Sequence, residues 1–345
     1  MDPTGLVPLV ADALLRVARI AALVAVGVFL ANLAVEFGAV ERVAGLSRFL
    51  TGPANLPDEA GTAILTTTAS TTAGYGMLAD FRESGRLSDR ATLVAVTINT
   101  FFGFVQHVFT FYAPVLIPIL GLQVGLMYVG ARAGIALAIT LVGVFGGALL
   151  LPSDGVAGRS ADDETDGLGV ATADESGEDG LADGGSTPSV AATGGSATYR
   201  ERAHAAADAS RSTLRRIVPR LAVVYVLVTV LVARVDLQSL SAAAGPLAEV
   251  AGLPAAAIPV IVIFAFDTTA GAATVAPLVG NTLTPEVAVA TMLVGGVVSF
   301  AVSTFKRSIP FQYGVWGAEF GLRVVVLNTV LKVVFISVAV AFFLV

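Results

Sequence analysis

The sequence predicts an all-α polytopic membrane protein made of two homologous repeats of about four to five membrane segments each. Three observations lead there. The chain has 345 residues, is 55% hydrophobic and only 13% charged, with a mean hydropathy of +0.83; a soluble domain carries about twice that charge. Several apolar runs reach the roughly 20 residues that cross a bilayer. Landmarks of the first half also recur in the second at one offset.

The apolar runs cover 11–36, 56–79, 91–111, 131–151, 217–235, 255–279, 287–304 and 321–345. Arg16 and Arg19 give the first run the look of a signal peptide, but Glu36-Phe37-Gly38 follows it where small residues would mark a cleavage site, so it is read as a span. The stretch 40–50 sets Glu41, Arg42 and Arg48 among Val43, Leu46, Phe49 and Leu50, the pattern of a short interfacial helix. Leu56-Pro57-Asp58-Glu59 opens the next run with an N-terminal Pro and an acidic first turn. That run meets seven residues, 66–72, that are nearly all Thr or Ser, and then Gly74 and Gly76. Ser88-Asp89 caps the third run. Pro114 and Pro118 are expected to break the segment after it, and 131–151 closes the first half.

Between the halves the composition changes. The segment 152–198 holds ten carboxylates against Arg159 alone, a net charge of −9, so the rest of the chain carries +3 of the total −6. Such a segment cannot bury enough apolar surface to fold and reads as a disordered linker. Its acidity, in a chain whose only lysines are Lys306 and Lys332, suits an organism living at high salt. The organisation expected is thus a first membrane repeat over 1–152, an acidic linker over 153–199 and a second repeat over 200–345. Arg200, Arg202, Arg211, Arg215, Arg216 and Arg220 open the second half as a basic juxtamembrane helix, which faces lipid headgroups and not nucleic acid.

A shift of 197 carries Leu56-Pro57 onto Leu253-Pro254, Thr71-Thr72-Ala73-Gly74 onto Thr268-Thr269-Ala270-Gly271, and Ser88-Asp89 onto Pro285-Glu286. Shared landmarks at one offset indicate an internal duplication. The loops favour inverted repeats under the positive-inside rule. Arg82, Arg86 and Arg90 follow the first motif, where 280–286 has no basic residue; Lys306-Arg307 follows the next run, where 109–114 has none. Arg200–Arg220 and Arg16 with Arg19 pull the other way, toward parallel repeats, in which Lys306 and Arg307 would become buried site residues.

The paired motif is the candidate site. Each copy offers a capping residue, Ser70 or Asp267, then two threonines, Thr71 and Thr72 or Thr268 and Thr269, then Ala-Gly. A helix that breaks and restarts there exposes backbone N–H groups at one end and carbonyls at the other, and with hydroxyls and a carboxylate these can hold a Na⁺ or H⁺ and a small polar solute. A carboxylate at membrane depth is functional by default, so Asp267 is assigned charge coupling; the competing reading is that it only caps a half-helix. Asn99, Gln106 and His107, on one run, are further candidates for solute contact or for helix–helix hydrogen bonding. Glu319 and Arg323 form a structural i, i+4 pair, Asn281 a turn, and Gly125, Gly130, Gly134, Gly143, Gly146 and Gly147 a close-packing helix face. No cysteine and only two histidines, His107 and His204, exclude thiolate chemistry and disfavour a metal centre. No nucleophile–base pair stands at a plausible spacing, so an enzyme is not expected.

The duplicated TTAG segments, the capped run after each, and the Pro-interrupted stretches Phe111-Tyr112-Ala113-Pro114 and Arg307-Ser308-Ile309-Pro310 resemble the nucleoside-recognition, or Gate, domain family, in its archaeal form with two Gate copies in one chain. The resemblance covers most of the chain outside the linker. It implies a gating or substrate-contacting membrane module. The nucleotide-binding domain of the family's iron permeases is absent, as is any GxxxxGK[ST] loop.

The expectation is therefore a multi-pass protein of the cell membrane. It acts as a secondary transporter or permease for a small polar solute, nucleosides included, coupled to Na⁺ or H⁺ through Asp267. No other cofactor is expected. Its partners are the lipid bilayer and the solute, with a homo-oligomer left open. The alternative is a non-transporting membrane assembly or scaffold protein.

Overall fold

A computed structural model describes residues 3–36, 51–152, 252–304 and 308–345, with scattered positions between 200 and 230. The expected interfacial helix at 40–50, the acidic linker, Lys306 and Arg307, and most of the basic segment 200–220 lie outside the described residues.

The described chain is almost entirely helical. Its elements are α1 (Pro3–Glu36), α2 (Asp58–Ala69), α3 (Thr71–Glu83), α4 (Asp89–His107), a π-helical segment (Val108–Leu116), α5 (Ile117–Leu120), α6 (Leu122–Leu150), α7 (Ala257–Phe266), α8 (Thr268–Val275), a 3₁₀ turn (Ala276–Leu278), α9 (Pro285–Ser303), α10 (Ile309–Trp316) and α11 (Ala318–Leu344). Among the described residues, four stretches are long and apolar enough to cross a membrane: Val10–Leu30, Asp89–Leu120, Leu122–Leu150 and Ala318–Leu344. On α11 the exposed side chains Leu322, Val326, Val330, Val334, Val338 and Phe342 recur every four residues. An unbroken outward apolar stripe of this length is unstable in water and suits a hydrocarbon surround.

The runs at 56–79 and 255–279 do not form single helices. α2 ends at Ser70, whose backbone is extended (φ −148°, ψ 113°), and α3 begins one residue later; α7 ends and α8 begins at Asp267 in the same conformation (φ −155°, ψ 113°). Each second arm folds back on the first, and a glycine permits the contact. A Cβ on Gly74 would lie 2.8 Å from the carbonyl of Ala63 and the amide of Thr67, and one on Gly271 2.6 Å from Phe264.

Interhelical contacts fix where each hairpin opens. α6 runs antiparallel to α4: Thr140 Oγ1 donates to the Ile98 carbonyl at 3.0 Å and accepts from the Phe101 amide at 3.2 Å, while Gly147 meets Ala54 and Val94. The end of α6, the start of α4 and the start of α2 thus share one end of the bundle. α11 begins there too. Arg82 Nε bonds Asp89 Oδ1 at 2.7 Å, Arg323 Nη1 reaches Asp89 Oδ2 at 3.4 Å, and the Arg82 guanidinium lies 3.9 Å over Phe320. Arg323 also pairs with Glu319 at 2.5 Å, as the i, i+4 spacing predicts. α9 runs antiparallel to α11, because Lys332 covers Phe300 while Ala290 packs near Val340. The first turn of α7, at Leu253 and Ala257, joins that same cluster beside Phe343 and Leu344. The α2–α3 hairpin therefore opens toward one end of the bundle and the α7–α8 hairpin toward the other.

Two expectations need correction. Pro114 does not break its segment: Asp89–Leu120 runs as one 32-residue helical stretch, and the widened π turn from Val108 to Leu116 accommodates the proline, which has no N–H to donate. α1 crosses this segment at Gly27, where a Cβ would stand 2.9 Å from the Pro114 carbonyl. The offset is also not constant. Ser88 accepts from the Ala91 amide, but the matching cap in the second half is Thr284, accepting from Val287, which is a shift of 196. The connection after α8 is one residue shorter, and the later landmark pair Gly121 (φ 81°, ψ 162°) and Gly317 (φ 76°, ψ 164°) keeps the new shift. That conformation belongs almost only to glycine.

Of the six glycines assigned to close packing, Gly125, Gly143 and Gly147 meet neighbours within van der Waals contact, whereas Gly130, Gly134 and Gly146 face open space. This gives a paired test. A Cβ on Gly147 would fall 2.5 Å from the Ala54 carbonyl and 2.9 Å from Val94 Cγ1, so Gly147→Ala should cost about 1–3 kcal/mol through overpacking and lower the melting temperature in detergent. Gly146→Ala should leave it unchanged or slightly raised.

Candidate functional site

The two halves line a partly open cavity. Thr100, Gly103, Phe104 and His107 come from one face of α4, at spacings of three and four residues. The π segment adds Tyr112, and α6 adds Tyr128, Arg132 and Ile139. The second half supplies Phe264 at the end of α7, Thr268 at the start of α8, Ser299 and Phe300 from α9, and Lys332 from α11.

Aromatic rings tie the walls together. Phe104 and Tyr112 are 5.6 Å apart between centroids, Tyr112 and Tyr128 6.2 Å, and Tyr128 and Phe264 6.4 Å. This series runs from α4 through the π segment and α6 into the second half. Gly271 and Gly295 hold Phe264 in place, since a Cβ on either would come within 3.0 Å of it. His107 Nδ1 donates to the Gly103 carbonyl at 2.9 Å, which makes Nε2 the acceptor of the neutral ring. Lys332 Nζ stands 4.3 Å from the Phe300 ring centre, a cation–π contact, and lies within electrostatic reach of Arg132.

The predicted site residues divide. Thr268 and His107 line the cavity. Thr269 is buried in α8 and is not among the lining residues. Asp267 Oδ1 accepts the Ala270 amide at 2.8 Å, so the carboxylate caps α8, beside the cavity but not in its wall. Ser70 caps α3 through the Ala73 amide at 3.3 Å and is exposed, as is Thr72. Thr71 Oγ1 donates to Gln106 Oε1 at 2.7 Å. One turn along α3 the hydroxyl of Tyr75 faces Asn99, but the Asn99 amide is buried and meets no partner in hydrogen-bond geometry among the described residues. Thr71–Gln106 and Tyr75–Asn99 thus form the polar seam between the first hairpin and α4, away from the cavity wall. The shared cavity is reached by the second motif alone.

Arg132, Tyr128, Ser299 and Thr100 are lining residues that sequence reasoning did not single out, and Lys332 was noted without a role. The signal was present: each cation is the one formal charge inside a long apolar helix, apart from residues in the first turns of α11. The apolar run read from the sequence starts at 131, one residue before Arg132. The helix begins at Leu122, which puts Arg132 eleven residues in.

No family model matches the chain, and no solved structure does. Two uncharacterized proteins of Methanocaldococcus jannaschii do. One is 32% identical over 130 residues, which is 36% of this chain and 39% of the relative. The other is 22% identical over 340 residues, 96% of this chain and 100% of the relative. The chain thus spans under half of the first relative and the whole of the second.

The cap geometry predicts a graded response at the second motif. Asp267→Ala should destabilise α8 by about 1 kcal/mol, and Asp267→Asn by only a few tenths, because asparagine caps nearly as well. Thermal melting of the purified variants reads the difference. Equal losses would mean that the charge, and not the cap, holds this turn.

Proposed function

We propose that the chain is a multi-pass membrane permease for a small polar solute, built as two inverted Gate-like repeats with the solute held between them. The observation that carries this reading is the cavity at the junction of the halves, lined from α4 and α6 on one side and α7, α8, α9 and α11 on the other. Sites at a repeat interface, beside a broken helix, are the usual arrangement in secondary transporters. The two hairpins open toward opposite ends, which supports a second broken helix and an inverted arrangement. Non-helical backbone at membrane depth persists where protein or a cavity surrounds it, and the break at Asp267 lies beside the cavity that Thr268 lines.

In this reading Thr268 contacts the solute directly. Asp267, one residue before it, couples transport to Na⁺ or H⁺ while capping α8. Nucleosides are one candidate class, because the aromatic wall offers stacking surface. The Gate resemblance supports this choice, although no family model reaches the chain.

One observation favours the alternative, a non-transporting membrane assembly protein. The first motif is spent on packing: Thr71 bonds Gln106, and neither Ser70 nor Thr72 reaches the cavity. Vesicle assays separate the two. In proteoliposomes the permease reading expects cation-dependent solute flux that Asp267→Asn abolishes while the protein still inserts and folds. Unchanged flux in that variant removes the coupling role, and no flux for any solute favours the scaffold.

The inversion has its own test. With no native cysteine, single cysteines can be placed at Gly85, between α3 and α4, and at Asn281, between α8 and α9. Inverted repeats predict labelling from opposite sides of the membrane by an impermeant maleimide. Labelling from the same side would make the repeats parallel.

A further inference from the structure

Two cavity-lining glycines are not explained by packing. Gly74, Gly125, Gly143, Gly147, Gly271 and Gly295 each sit against a neighbour that a Cβ would strike within 3.0 Å. A Cβ on Gly103, in α4, would meet nothing within 4 Å among the described residues. One on Gly296, in α9, would meet only Arg132 Nη1 at 3.7 Å and Phe264 Cε1 at 3.9 Å, which are ordinary contacts. Both glycines line the cavity. Glycine inside a helix is destabilising relative to alanine, so packing gives no reason to keep it at either position. What a missing Cβ does supply is close approach of another molecule to the helix backbone.

The two positions are linked by the repeat. At the later shift of 196, Thr100 corresponds to Gly296, Gly103 to Ser299 and Phe104 to Phe300, and all six residues line the cavity. α4 and α9 therefore each present a hydroxyl, a bare position and a ring from equivalent turns, with hydroxyl and glycine exchanged. Residues three apart share a helix face, so each hydroxyl stands beside its own glycine. Ser299 also engages other groups of the protein, and a hydroxyl has capacity for more than one partner. The space between these walls is small. The cavity volume is about 90 Å³, against roughly 300–1,000 Å³ for pockets that enclose drug-sized ligands. In a space of that size, a methyl group added at either glycine takes room that a ligand atom would use.

We infer that Gly103 and Gly296 set the size of what the cavity admits, and that its solute is a polar molecule of only a few non-hydrogen atoms, seated against bare helix backbone beside the hydroxyls of Thr100 and Ser299. This deepens the permease reading of the same site and rests on it. It narrows the solute to molecules smaller than a nucleoside.

The test uses the full chain in nanodiscs. Because the chain has no native cysteine, single cysteines can be placed at Gly103, at Gly296 and, as an exposed reference, at Asn281. Each is reacted with two uncharged reagents, methyl methanethiosulfonate and benzyl methanethiosulfonate, so that Arg132 and Lys332 do not bias the comparison. The methyl reagent should modify Gly103→Cys and Gly296→Cys, and its rate advantage over the benzyl reagent should be roughly tenfold or more above that at Asn281→Cys, because the ring clashes with the walls. An equal ratio at all three positions overturns the size limit, and no methyl modification at either cavity position overturns the site. Thermal melting checks the premise without any ligand. Gly103→Ala and Gly296→Ala should melt no lower than the wild type, whereas Gly295→Ala, whose Cβ would lie 2.9 Å from Phe264, should melt lower. A loss in Gly103→Ala or Gly296→Ala as large as that in Gly295→Ala would make these glycines packing residues and overturn the inference. Labelling reads the size of the cavity and not transport, so the two readings fail separately: size-limited labelling with no flux of any solute removes the permease alone, and uptake of adenosine by proteoliposomes keeps the permease and removes the size limit.

Discussion

The constraint on which the rest depends is the satisfaction of backbone polar groups where two apolar helices are interrupted. Each break leaves amides and carbonyls without intrahelical partners, in a surround where an unmet group costs several kcal/mol. Ser70 and Asp267 answer this locally by accepting the amides of Ala73 and Ala270. The answer is incomplete without enclosure, and Gly74 and Gly271 allow each returning arm close enough to supply it. Around the two hairpins, α4 and α6 bury faces in the core while α11 keeps an apolar stripe exposed.

Much of that was legible in the sequence. The hydroxyl-rich segments, the glycine after each and the capping residue before each mark the breaks because their chemistry is local. The membrane-length helices were legible because hydropathy needs no tertiary context. The one-residue change of offset was not, since Pro285-Glu286 opens a helix as plausibly as Thr284 caps one, and only the bonded amide of Val287 separates them. The continuity through Pro114 was also hidden, because the sequence shows the missing donor but not the π turn that accommodates it. The cavity was least legible. Its cations sit in two helices far apart in the chain, and neither is near a motif.

The basic loops of the first half are read differently once the hairpins are in view. Counting each interrupted run as a crossing made Arg82, Arg86 and Arg90 conflict with the basic segment that begins at Arg200. A hairpin that opens and closes at one end crosses nothing. The end of α6 lies beside the start of α4, and Asn55 Nδ2 donates to the Leu151 carbonyl there at 3.2 Å. The last described residues of the first half, Leu151 and Pro152, therefore lie at the same end as Arg82, Arg86 and Arg90. In the proposed topology that end is the cytoplasmic one under the positive-inside rule.

Symmetry of scaffold and asymmetry of charge are the final relation. At the later offset Arg132 corresponds to Asn328 and Lys332 to Ala136, so neither cation is duplicated. Ser70 and Asp267 differ in the same way, neutral in one copy and charged in the other. The backbone keeps a two-fold plan at its breaks and at its glycine turns, while the formal charges follow no such plan.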